Sequence, residues 1–152
     1  MSILKDLDFT SLKGVNSVII NAVERVSCIH NFLKEYEPRV GFGFERLSMV
    51  KLVSRIISLN SKEFYEKLIK FNTMNMLLDY MFEYKWNNFL HTQLMNIIKY
   101  LFSNVPDNNM KEKDRKIECS ILLQHILKDC NIIQKLVEIW TSYFDEDEIE
   151  KR

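Results

Sequence analysis

Four side chains within EYKWNNFLHTQL, residues 83 to 94, are the types that do chemistry or read a ligand: Trp86, Asn87, Asn88 and His91. A histidine four positions after an asparagine sits one helical turn along, and such a pair brings to mind the Cys-His-Asn hydrolases. The nucleophile that such an enzyme needs is missing from the neighbourhood. Cys28, Cys119 and Cys130 are widely spaced, and none has the glycine-flanked or cationic setting that lowers a thiol pKa. No nucleophile elbow surrounds any serine. Metal chemistry has as little support, because Cys28-x-His30 and the separated Cys119, His125 and Cys130 lack the paired spacings that converge on one ion. Gly41-Phe42-Gly43 has neither the third glycine nor the preceding strand of a dinucleotide loop and reads as a turn joining two helices. The expectation is a protein that is not an enzyme, with no cofactor, no metal and no small-molecule substrate.

Composition narrows the remaining classes. The 152 residues are one ordinary domain by length, enough to bury a core without staples. Lys and Arg number 21 and so do Asp and Glu, so no net field gathers nucleic acid or anionic lipid. Three scattered cysteines and the absence of a long apolar run lead us to expect an intracellular chain with no membrane insertion.

Three Gly and two Pro leave little material for hairpins, so the elements that must position the corner at Trp86 are helices, about seven of them. Val15, Val18, Ile19, Ala22, Val26, Ile29 and Leu33 recur at helical spacing and predict one long first helix ending before Pro38. A second helix over 44–59 is apolar nearly all round. Asn60 followed by Glu63 fits a capping box opening a third, and Asn72 or Thr73 is placed to cap a fourth, with Leu77, Leu78, Met81 and Phe82 on its dry side. Leu90, Leu94, Ile97, Ile98 and Leu101 mark the inward face of the helix that Asn87 would cap, ahead of a loop at 104–109. Cys119, Leu122, Leu123, Ile126 and Cys130 share a face, and Ile132, Ile133, Leu136, Val137 and Trp140 form another directly after Asn131. The mixed-charge run at 111–116 reads as solvated, and the acidic tail at 145–152 as frayed. Phe71, Phe82, Tyr84 and Phe102, aromatics at helical spacing, read as core. For Trp86 the expectation is that the indole closes the corner between two helices, with direct contact to a partner as the alternative.

The fold class expected is all-α, a single domain over 1–152 stacked as a HEAT or armadillo-like helical repeat, with helical pairs at 44–71, 72–103 and 111–143 advancing by roughly 30 to 40 residues. Residues 73–94, TMNMLLDYMFEYKWNNFLHTQL, resemble the SAPS-domain family, in which a W-N-N-F-L-H core leads into the next helix. RLSMVKLVSRIISLN and ERVSCIHNFLKEYEPRV upstream, and LLQHILKDCNIIQKLVEIW downstream, are similar to neighbouring family segments. The likeness spans most of residues 20 to 142 and falls in the middle-to-late part of the family's longer domain. It implies a non-catalytic regulatory or scaffold subunit that binds the catalytic subunit of protein phosphatase 6, a type 2A-like Ser/Thr phosphatase, in cytoplasm and nucleus. Trp86, Asn87, Asn88 and His91 are the motif positions carried over as partner-binding candidates. From the residues alone, a HEAT-like adaptor for some other protein stays open beside it.

Overall fold

The computed structural model describes residues 13–35, 41–104, 117–138 and 141. Its elements are α1 (Lys13–Glu24), α2 (Val26–Lys34), α3 (Phe44–Ile57), α4 (Lys62–Lys70), α5 (Thr73–Glu83), α6 (Asn88–Ser103) and α7 (Ile117–Gln124), then a π-helical turn, His125–Asp129. A further helical run, α8, covers 132–138, and no strand occurs among the described residues. The all-α expectation therefore holds. The loop beyond Asn104, the run at 111–116, Pro38, Trp140 and the acidic tail lie outside the described residues.

Helices three elements apart stack on each other. α1 packs on α4 and α4 on α7, while α3 packs on α6. α2 meets α5 through Tyr80, whose hydroxyl donates to the Leu33 carbonyl at 2.9 Å, and α5 meets α8 where Lys135 Nζ donates to Asn75 Oδ1 at 2.8 Å and also pairs with Asp79. The α3–α6 pair runs parallel: near the start of the two helices Phe42 touches Tyr84, and at their other ends the Tyr100 hydroxyl donates to the Ser58 carbonyl. A parallel, three-element register is the geometry of an armadillo-like stack of triplets. It corrects the expected helical pairs. Equivalent helices begin at Phe44 and Asn88, and at Val26 and Thr73, close to the roughly 40–47-residue armadillo and HEAT period rather than a shorter one.

The expected first helix is two. The chain turns at Arg25, whose N–H is shared between the Asn21 and Ala22 carbonyls; α1 packs on α4, while α2 packs on α3 and α4 and reaches α5 through His30 and Leu33. No Gly or Pro marks that break, and the stripe expected to run through it is interrupted: Val18 is exposed, whereas Ala22, Val26, Ile29 and Leu33 are buried.

The core is continuous from Ala22 to Ile132 and includes every apolar position expected of α6 except Ile98, which is half-buried. The face predicted from Cys119 to Cys130 is buried throughout. On α8 only Ile132 is buried, and Ile133, Leu136 and Val137, expected to share its inward face, are exposed. Phe102, expected in the core, is exposed as well.

Three connections use asparagine in the left-handed conformation that helix ends usually give to glycine: Asn60 at φ 57°, Asn72 at 53° and Asn131 at 49°. Asn60 is therefore not the N-cap of α4. Ser61 is, accepting from the Phe64 N–H, while its hydroxyl donates a hydrogen bond to the Glu63 carboxylate. Asn72 likewise makes no side-chain cap to α5, and Thr73 is the first residue of that helix. The Asn60 amide instead accepts from the buried Cys119 thiol at 3.0 Å and from Tyr65, tying the α3–α4 corner to α7.

Candidate functional site: the corner between α5 and α6

Helix α5 ends at Glu83 with no basic side chain in its last turn and no glycine after it. Its final carbonyls thus need donors from elsewhere. His91, one turn into α6, supplies one: its Nε2 lies 2.9 Å from the Met81 carbonyl and 3.1 Å from that of Tyr84. Two carbonyl acceptors fix Nε2 as the protonated nitrogen, shared between them. The half-buried imidazole fastens the end of one helix to the start of the next, and that proton is committed to structure instead of to base chemistry.

At the other side of the corner Asn87 is the N-cap of α6, as its sequence position predicts. Its Oδ1 accepts from the Leu90 N–H at 3.1 Å, and its carbonyl receives the His91 N–H. The Tyr84 carbonyl also takes the Asn87 N–H at 3.0 Å, so the four residues between the helices form a closed turn. Asn88 opens α6 with an exposed side chain, and its carbonyl accepts from Thr92.

Trp86 departs from expectation. The indole does not close the corner; it is 93% exposed, and Phe89, which sequence spacing does not single out, is 74% exposed beside it. Packing of the corner is done by Tyr84, whose ring meets Phe42 at 5.2 Å and Tyr80 at 6.0 Å, centroid to centroid. An open groove of about 570 Å³ runs between Glu83 and Phe89. The structure thus brings the four candidate residues together but splits their work: Asn87 and His91 hold the backbone, and Trp86 and Asn88 face outward. The signal that could have found Phe89 is its place at the second position of α6, on the side away from Leu90 and Leu94.

Most of the remaining reactive types are engaged within the fold, whereas the Cys28 thiol is exposed and the buried His125 Nε2 has no hydrogen-bond partner among the described residues. Burial pushes the Cys130 thiol up to about 11, with Asp129 and Asp79 adding to the rise and Lys135 opposing it, so near neutral pH it stays protonated. His125, buried in the π turn, donates from Nδ1 to Asp129 at 2.8 Å, and Cys119 donates to Asn60. His30 Nδ1 lies 3.1 Å from the Thr73 hydroxyl. Among the described residues no three His, Cys, Asp or Glu side chains are grouped so as to hold a metal ion, and no helix is long and apolar enough to cross a membrane.

The parallel stack of helices places the chain in the class of α-helical repeat proteins. The sequence places it more closely. The family model for SAPS, SIT4 phosphatase-associated protein, matches residues 62–152, and the chain belongs to that family. Among relatives, serine/threonine-protein phosphatase 6 regulatory subunit 3-B of Xenopus laevis is 29% identical over 86% of this chain. Regulatory subunit 2 of Mus musculus is 24% identical over 85%, and regulatory subunit 1 of Homo sapiens 28% identical over 76%. The chain spans 17% of the length of the first of these, 16% of the second and 14% of the third. No solved structure matches.

Proposed function

We propose that this chain is a non-catalytic part of a regulatory subunit that holds a Ser/Thr phosphatase catalytic subunit of the protein phosphatase 6 type in cytoplasm and nucleus, governing its activity or targeting. Trp86 and Asn88 touch the enzyme, and Asn87 and His91 hold the backbone that presents them. The observation that carries this reading is the exposed indole on a corner braced from both sides. An exposed tryptophan is costly in water, and tryptophan is among the side chains most enriched where a few residues supply most of a binding energy. Pre-organisation supports the same reading, because a turn already fixed by capping bonds loses little freedom when it docks.

The test is retention of purified phosphatase 6 catalytic subunit on the immobilised chain, wild type against a Trp86→Ala, Asn88→Ala double variant. The wild type retains the enzyme and the double variant loses most of it. Equal retention by both would remove this corner from the interface. Capture of other proteins with no phosphatase by the wild-type chain would turn the reading to a general adaptor.

A further inference from the structure

The third triplet follows the second closely enough to be laid over it. α7 and its π turn lead through the left-handed Asn131 into α8, as α4 leads through the left-handed Asn72 into α5. Aligned on those asparagines, Gln134 and Glu138 fall beside Asn75 and Asp79, and each pair is joined by an amide-to-carboxylate bond, at 3.0 Å in α8 and 3.3 Å in α5. Ile133, Leu136 and Val137 fall beside Met74, Leu77 and Leu78. The side chains agree in type and differ in burial. Met74, Leu77 and Leu78 are inaccessible, whereas Ile133, Leu136 and Val137 are 61%, 48% and 55% exposed.

The second triplet shows where the difference comes from. On α5, Asn75 and Asp79 face α8 and Tyr80 faces α2, which leaves the side of Met74, Leu77 and Leu78 to α4 and α6, both of which pack on α5. α8 has α7 in the place of α4 and, among the described residues, no helix in the place of α6. α6 also packs on α3, the third helix of the triplet before it, so the matching wall for a helix beside α8 is α6 itself. Aligned on their N-caps, Gly43 and Asn87, the buried Val50, Val53 and Ile57 of α3 fall beside the buried Leu94, Ile97 and Leu101 of α6. Phe102 then falls beside Ser58, whose carbonyl is where α3 receives the Tyr100 hydroxyl of α6. The exposure of Phe102 and that of Ile133, Leu136 and Val137 thus have one origin.

We propose that the side of the stack between α6 and α8 is a docking site for an amphipathic helix supplied by a partner, seated there as α6 is seated between α3 and α5. The internal repeat states the chemistry of that helix. It has about four turns, with aliphatic residues three and four apart on one face, in the manner of Leu90, Leu94, Ile97 and Leu101. The same alignment sets Asp147 beside Asn88, and Asp147-Glu148-Ile149-Glu150-Lys151-Arg152 carries one apolar residue, so the covering stripe is not written there. Burial of aliphatic surface supplies the attraction. The site is separate from the corner at Trp86 and does not depend on the phosphatase contact.

The probe is a fluorescein-labelled peptide of residues 87–104, the α6 sequence itself, titrated with the full 152-residue chain and followed by fluorescence anisotropy. It binds saturably, and Leu136→Asp weakens binding about tenfold or more by setting a carboxylate against the stripe. Phe102→Ala weakens it as well, and a peptide carrying Leu94→Asp and Ile97→Asp does not bind. Both chain variants melt within about 2 °C of wild type, since the substituted side chains are exposed. Absence of saturable binding would overturn the proposal. So would binding that Phe102→Ala or Leu136→Asp leaves untouched, the second being the mark of a peptide that exchanges with the chain's own α6. A Leu136→Asp chain melting about 5 °C or more below wild type would overturn it too, because that leucine would then be covered by the chain's own residues.

Discussion

Removal of the Asn87 amide is the sharpest test of how the corner is built. Asn87→Ala deletes the acceptor of the Leu90 N–H, a bond of 3.1 Å, while leaving the backbone bonds of the turn in place. Loss of a side-chain N-cap costs roughly 0.5–2 kcal/mol. The half-buried position of Asn87 and the complete burial of Leu90 limit how well water can replace the lost acceptor, so about 1–1.5 kcal/mol is the expected value. For a chain of this length that is a fall of roughly 3–5 °C in melting temperature. Asn87→Ser and Asn87→Asp restore most of it, because both present an oxygen at the same reach, and Asn87→Gly loses only a few tenths of a kcal/mol. Asn88→Ala is the internal control. Its exposed side chain makes no capping bond, and the change stays within about 0.5 kcal/mol of wild type. Urea and thermal unfolding of the five variants decide the matter. An Asn87→Ala protein within about 0.5 kcal/mol of wild type, or an Asn88→Ala protein that loses as much, would refute the capping assignment.

Two further outcomes follow from the same contacts. His91→Phe keeps an aromatic ring but removes the donor shared by the Met81 and Tyr84 carbonyls, and it lowers stability by roughly 1–3 kcal/mol in urea with an unchanged slope, with faster amide exchange at the end of α5. His30 makes stability depend on pH. Partial burial, then the charge of Lys34, holds its pKa below the ordinary 6.5, so as pH falls from 6.5 toward the lowered value the unfolded chain takes up more protons than the folded one. The folded state therefore loses stability across that window, and thermal melts from about pH 7.5 to 5 should show a smaller fall for His30→Gln than for wild type.

Much of the fold was legible because burial on one side of a helix writes itself into spacing. Leu90, Leu94, Ile97 and Leu101 had to face inward, and Asn87 had to precede them. What escaped reading were choices that only packing makes. Asparagine is favoured both at an N-cap and in the left-handed position after a helix, and where one or two residues separate two helices both descriptions fit. Asn60, and Asn72 or Thr73, therefore read forward as caps of the helix they precede, whereas the backbone of Asn60 and Asn72 belongs to the helix they follow. The break at Arg25 carries no local signature, since neither Gly nor Pro marks it. Trp86 reads as corner packing because large aromatics near a turn usually pack. Here Tyr84 and Phe42 already fill that place.

That occupancy makes the exposure of Trp86 informative. The turn has a cap from Asn87, a donor from His91 and a ring from Tyr84, and none of these needs the indole. Stability of the corner and display by the corner are therefore carried by different residues. Truncating Trp86 or Phe89 should leave the melting temperature where it was, whereas truncating Asn87 or His91 should lower it. A sequence shaped only by folding would place a polar residue at position 86 at no cost to the turn. A tryptophan there, 93% exposed on a backbone fixed from both flanks, is what the proposed contact with the phosphatase calls for.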